Sequence, residues 1–277
     1  MDDHFGLIIH LSVSLVAALV LGLITQRLRL SPIVGYLLAG IMLGPQTPGF
    51  VADAELAAQL AEIGVVLLMF GVGLHFQLGE LLAVRRVAIP GAVGQSVVAT
   101  LLGAAVVFVA GFGMAAGLVI GLAISVASTV VLIRVLMDNN VLDTPQGHIA
   151  VGWLIVEDIF TVLVLVVLPA MADLHSGQDG GAASVLMALG SAVLRIGGLL
   201  LFVGLVGRKV IPWLLTRVAR TRSRELFTLT VLAIALAIAT GSAVVFGVSM
   251  ALGAFLAGMI VGQSVVSHQA AADALPM

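Results

Sequence analysis

Polar positions in this sequence are rare and grouped, and the apolar runs between them are long. An α-helix rising 1.5 Å per residue needs about 20 apolar residues to cross some 30 Å of hydrocarbon. On that measure the pattern predicts nine candidate membrane helices, at about 6–26, 31–45, 59–78, 88–110, 115–137, 149–171, 185–206, 225–241 and 246–263. Several are short or interrupted by glycine. The predicted fold class is an all-α polytopic membrane protein, with residues 1–277 forming one transmembrane unit.

The charged breaks give these helices a direction. Arg27 and Arg29, Arg85 and Arg86, Arg134, and the run Arg208, Lys209, Arg217, Arg220, Arg222 and Arg224 fall on alternate connections, eleven of the twelve basic residues. The opposite connections carry Asp2, Asp3, Asp53, Glu55, Asp173 and Asp179 and no Lys or Arg. The positive-inside rule therefore places the N-terminus outside and Met277 in the cytoplasm. The first run lacks the basic stretch and the small-residue cleavage site of a signal peptide, so the first helix is expected to be retained. Arg195 alone falls inside a run, the seventh, and is expected to snorkel to the outer surface rather than to stay at membrane depth.

Composition narrows the class further. Of 277 residues, 61% are hydrophobic and 9% charged, with a mean hydropathy of +1.24, against roughly 45–50% apolar and 25% charged in soluble domains. A net charge of −2 with scattered arginines leaves no basic face for a polyanion, which excludes nucleic acid as a partner. The absence of cysteine removes disulfides, thiolate metal sites and cysteine nucleophiles. Metalloprotease, nucleophile-elbow, phosphate-loop and dinucleotide motifs are also missing, so no enzyme activity and no cofactor are expected.

Two ten-residue segments repeat. Gly35–Gly44 (GYLLAGIMLG) and Gly253–Gly262 (GAFLAGMIVG) agree at five positions and lie 218 residues apart. The predicted spans run in opposite directions, which is the pattern of an inverted-topology repeat in secondary transporters. A first repeat over about 31–172 is then followed by a second starting near 246 and left incomplete, and the chain is expected to be a fragment of a longer transporter. Chance similarity between small-residue helices is the competing reading.

The candidate chemistry centres on Glu157 and Asp158, adjacent carboxylates inside the sixth run. An ionised carboxylate at mid-bilayer costs about 2.5–3.5 kcal/mol on insertion scales, so such a pair implies function. Successive helical residues diverge by about 100°, which predicts distinct roles, one carboxylate binding an ion and the other modulating it. Desolvation at membrane depth disfavours a charged carboxylate, so such a group can trade a proton for a metal cation, and competition for one site is sufficient for antiport. Ser125, Ser128 and Thr129 in the fifth run could complete an oxygen cage for a monovalent cation, or could simply bond helix carbonyls. Gln95 is expected to make an interhelical hydrogen bond, His10 and His75 to make packing bonds, and His148 to be a solvated loop residue.

These motifs together resemble the monovalent cation:proton antiporter superfamily, in its second branch, which includes Kef-type potassium efflux antiporters. The resemblance is carried by Ser31–Pro45, Ser128-Thr129, Gly152–Asp158, Ser223–Phe227 and Phe246–Gly258. It implies a sodium/proton-antiporter-like fold of thirteen helices, with a dimerisation domain and a mobile core where two broken helices cross. It also implies an elevator-like exchange of potassium or sodium for protons across a bacterial inner membrane, by a homodimer in the lipid bilayer. Asp158 then corresponds to the carboxylate that carries ion and proton, and Ser125–Thr129 to the first broken helix. Family members commonly show Asp-Asp, Asn-Asp or Gln-Asp where this chain has Glu-Asp. With helices ten to thirteen missing, the 277-residue chain is expected not to transport by itself. Two other classes stay open: a gated cation efflux channel, which would pass cation without obligatory proton movement, and a non-transporting scaffold, which would be indifferent to Asp158→Asn.

Overall fold

The computed structural model of the protein describes residues 6–45, 47, 53–175 and 181–264. Asp2, Asp3, Asp179 and the end at Met277 lie outside them. The described residues form α1 (Gly6–Arg27), α2 (Pro32–Met42), α3 (Ala54–His75), α4 (Leu78–Val109), α5 (Met114–Ser125), α6 (Thr129–Asp138), α7 (Pro145–His175), α8 (Gly181–Phe202), α9 (Arg208–Ala219), α10 (Arg224–Phe246) and α11 (Met250–Gly262). A π-helical turn, Val203–Gly207, joins α8 to α9, and no strand occurs among the described residues. Such a fold follows from the solvent, because hydrocarbon offers no partner to a backbone amide and helices satisfy their own.

Seven of these segments are long and apolar enough to cross a membrane: α1, α3, α4, the α5–α6 pair, α7, the α8–α9 pair and α10. The short apolar helices α2 and α11 correspond to the second and ninth predicted runs. Beyond shifts of a few residues at helix ends, three features differ from the pattern. The fourth helix starts at Leu78 rather than near 88, because Gln77 and Glu80 form a capping box there and Arg85 and Arg86 ride exposed on its first turns. The fifth run is two helices. The seventh continues through the π-turn to Ala219.

The chain divides into two compact units, Met1–Gly64 and Val65–Met277, with the boundary inside α3. In the first, α1 and α2 form a hairpin. Gly35 lies so close to the Leu21 carbonyl and the Gly22 amide that no Cβ fits, and Ser31 caps α2 by accepting from the Ile33 N–H at 3.3 Å. Asp53 caps α3 through Oδ1, which accepts from Glu55 and Leu56, and its own N–H donates to His10 Nδ1 at 3.3 Å.

In the second unit α10 and α11 form another hairpin, and the 218-residue offset maps its details onto the first. Gly253 packs against Ala239 and Ser242 as Gly35 packs against Leu21 and Gly22. Ser249 caps α11 as Ser31 caps α2, accepting from Leu252 at 3.1 Å. Gly247 in the connecting turn has φ +68°, and Arg29, its counterpart, has φ +61°. Around this hairpin lies the core. α11 is buried along nearly all its length, its Gly258 pressed against the Phe70 carbonyl of α3 and Gly73 of α3 pressed against Phe255. Small residues permit such close approach, and dispersion between backbones then holds helices together where no hydrophobic effect can. α4 packs on α5 with Gly121 against the Thr100 carbonyl, and on α7 with the Trp153 ring filling the notch at Gly91.

Candidate functional site

The site starts from a helix that stops halfway. α5 ends at Ser125, Val126 and Ser128 are extended (ψ 118° and 108°), and α6 resumes at Thr129. A break at membrane depth frees carbonyls at one helix end and amides at the other, and each must find a partner within the protein. Two hydrogen bonds to side chains of α4 and α7 meet part of that need, and two more tie those side chains together. Gln95 Nε2 donates to the Ser125 carbonyl at 3.1 Å. The Ala127 N–H donates to Glu157 Oε2 at 3.2 Å. Trp153 Nε1 donates to Gln95 Oε1 at 2.7 Å and to Glu157 Oε1 at 3.2 Å, closing the circuit. Glu157 is only 2% exposed, and both its oxygens accept from N–H groups.

Asp158, next in the chain, turns to another surface. Its Oδ2 accepts from Ser249 Oγ at 3.2 Å, at the first turn of α11. The carboxylate lines a small cavity of about 20 Å³ with Thr129, Met69, Ile133, Leu252 and Phe255 among its walls, and Glu157 is absent from that lining. One water-sized sphere needs about 10–15 Å³ by the same measure, so the space suits one water or one dehydrated monovalent ion. The N-termini of α6 and α11 meet there, turning partial positive charge toward Asp158, the one formal charge among the described lining residues.

Of the three hydroxyls in the predicted cage, the structure brings only Thr129 to this cavity. Ser125 Oγ is spent on the Leu122 carbonyl at 2.7 Å, and Ser128 Oγ caps α6 by accepting from Val131 at 3.4 Å. Arg134, one possible counter-ion for the carboxylates, pairs with Asp138 at 3.4 Å instead, and among the described residues neither Glu157 nor Asp158 forms an ion pair with Lys or Arg. The Arg195 guanidinium lies beside Gly247, at the end of α10 remote from Arg224. His75 Nδ1 meets the Gly71 carbonyl at 3.0 Å, and His148 packs against the Phe76 ring at 5.0 Å, tilted by 60°, with Glu80 4.0 Å away, held in the first turns of α7 rather than free in a loop.

Ser249 is the site residue that the apolar pattern does not single out. The repeat could have found it, since its counterpart Ser31 opens the other short helix with the same Ser-cap chemistry.

Residues 14–277 match the family model described as the transmembrane domain of sodium/hydrogen exchangers, and the chain belongs to that family. YbaL of Escherichia coli (strain K12), named as a cation/proton antiporter, is 53% identical over 263 residues, covering 95% of this chain and 47% of YbaL. The glutathione-regulated potassium-efflux system protein KefC of Klebsiella pneumoniae is 32% identical over 279 residues, covering 100% of this chain and 43% of KefC. A Methylorubrum extorquens protein named for its place in the phaC 3' region is 53% identical over 276 residues, covering 97% of this chain and all of that one. The chain thus spans about half the length of YbaL and KefC. It is a multi-pass membrane protein of the cation/proton antiporter family.

Proposed function

We propose that this chain carries the exchange site of a monovalent cation:proton antiporter of the bacterial inner membrane, with potassium or sodium competing with protons for Asp158. The observation that carries the reading is an ion-sized cavity beside a broken helix, lined by Asp158 and Thr129, with Ser249 Oγ donating to the Asp158 carboxylate. Such breaks occur in transporters where backbone lines a substrate site rather than lipid. Asp158 holds either a proton or a cation, Thr129 offers a further oxygen ligand to the cation, and Ser249 orients the carboxylate through its hydrogen bond. Because the two ligands exclude one another, and only neutralised states cross between inward and outward access, inward movement of protons drives cation out.

Glu157 has the second role. It grips the Ala127 amide and the Trp153 indole, holding the α5–α6 break open while the neighbouring carboxylate changes its load. Ser125 and Ser128 belong to that scaffold rather than to the cation cage, since their hydroxyls are committed to backbone groups. The charge bias of the connections supports an N-terminus outside, and the homodimer implied by the family resemblance is retained.

Everted membrane vesicles test the reading, with these residues carried in an antiporter of YbaL's length, since the 277-residue chain by itself is expected not to transport. Addition of potassium or sodium is expected to release protons from an acidified lumen, with the apparent KM for the cation rising as the pH falls, since protons then occupy more of the sites. Asp158→Asn is expected to abolish this exchange. Cation flux without proton movement would favour the channel class instead, and unchanged exchange in Asp158→Asn would remove Asp158 from the site.

A further inference from the structure

The far end of the α8–α9 segment gathers side chains that the exchange site does not use. α8, the π-turn and α9 make one apolar segment of 34 residues, Leu186–Ala219. At 1.5 Å per residue it is about 51 Å long, and even at a tilt of about 40° it spans roughly 39 Å, more than a hydrocarbon core of about 30 Å. One end must therefore stand in the headgroup layer, and the charges choose which, because half of the chain's twelve basic residues lie between Arg208 and Arg224.

α9 is built for that position. Ile211 and Leu215 are buried against the protein, while Trp213 is 60% exposed and Thr216, Arg217 and Arg220 are exposed beside it. Between them opens a cleft of about 490 Å³ lined by Pro212, Trp213, Thr216, Arg217 and Arg220. The Arg217 guanidinium lies 6.0 Å from the Trp213 ring centroid. Thr216 spends its proton on the Pro212 carbonyl at 2.7 Å, so the two guanidiniums and the indole are the donors facing outward. No carboxylate lines the cleft, and among the described residues neither Arg217 nor Arg220 has an acidic partner.

We propose that this cleft binds the phosphate of an anionic membrane lipid, with Arg217 and Arg220 on the phosphate and Trp213 against the glycerol and upper acyl chain. Guanidinium forks match phosphate oxygens in pairs, and an exposed tryptophan is at home where headgroups meet hydrocarbon. The overhang of the rod selects a lipid over free phosphate, because the cleft lies where the bilayer already supplies phosphates and its Pro212–Trp213 wall offers apolar surface to a chain.

The test reconstitutes the protein in bilayers of phosphatidylglycerol and phosphatidylcholine and counts the lipids retained on release, by native mass spectrometry. The protein is expected to keep phosphatidylglycerol in preference to phosphatidylcholine. Each arginine near an anionic surface contributes about 1 kcal/mol, so the double variant Arg217→Gln, Arg220→Gln is expected to lose about tenfold or more of that preference. The pair Arg85→Gln, Arg86→Gln, equal in charge removed but on α4, is expected to keep it, and millimolar inorganic phosphate is expected not to displace the lipid. An undiminished preference in the α9 variant would overturn the proposal. So would an equal loss in the α4 variant, which would mean general surface charge, or displacement by phosphate alone, which would mean a simple anion site.

Discussion

Neighbouring carboxylates end in different surroundings because one residue of helix turns a side chain by about 100°. Glu157 meets the broken helix and Asp158 meets the start of α11. Ser249 serves both the α11 cap and Asp158, whereas among the described residues Ser31 serves only a cap, so the two serines make a matched pair. Ser31→Ala and Ser249→Ala should each cost about 1 kcal/mol of stability, read by thermal unfolding. Only Ser249→Ala should also change the apparent KM for the cation; equal transport in both variants would detach Ser249 from the site. Gln95→Ala should cost about 1–3 kcal/mol in the same assay, because it leaves the Ser125 carbonyl buried without a partner and removes the 2.7 Å acceptor of Trp153. A loss no larger than that of a surface alanine would mean that water replaces the amide freely. Glu157, Asp158 and Gln95 were legible from the chain because a polar group in an apolar run demands a reason. Ser249 was not, since a serine between Val248 and Met250 reads as one more small residue until a partner 91 positions away is placed beside it.

Hairpins α1–α2 and α10–α11 repeat down to the turn residue in the left-handed region. Glycine occupies that conformation without a Cβ penalty and arginine does not. Gly247→Ala should therefore destabilise by about 1–2 kcal/mol, with the new Cβ also meeting the Arg195 guanidinium at 3.1 Å. Arg29→Gly should be near neutral, within about 1 kcal/mol, because relief of the strained φ is offset by the greater freedom of glycine in the unfolded chain. Chemical unfolding in detergent reads both, and a large loss from Arg29→Gly would show that its conformation is held for another purpose. The existence of the helices was visible in run length, and the shared Gly-Leu-Ala-Gly spacing pointed to the repeat. Their ends were less so. Arg85 and Arg86 looked like a connection because charge ends an apolar run, yet a helix can project beyond hydrocarbon with its arginines in water. The π-turn at Val203–Gly207 left no mark in an unbroken apolar stretch.

At the scale of the whole molecule the arginine bias assigns a side to every connection, and the cysteine-free sequence makes that assignment directly measurable. In intact cells a membrane-impermeant maleimide should label Ala54→Cys and spare Thr221→Cys, with the pattern reversed in everted vesicles. The opposite result would turn the topology over and place α9 in the outer leaflet. The chain's two tryptophans occupy two very different places. Trp153 sits partly buried with its indole N–H bound to Gln95 and Glu157, and Trp213 stands 60% exposed beside two arginines. The protein consequently carries two native fluorophores that answer to different questions. A blue-edge component should respond to cation and pH at the broken helix, and a red-edge component to the lipid composition of the surrounding bilayer. One emission spectrum of the unlabelled protein can follow both at once.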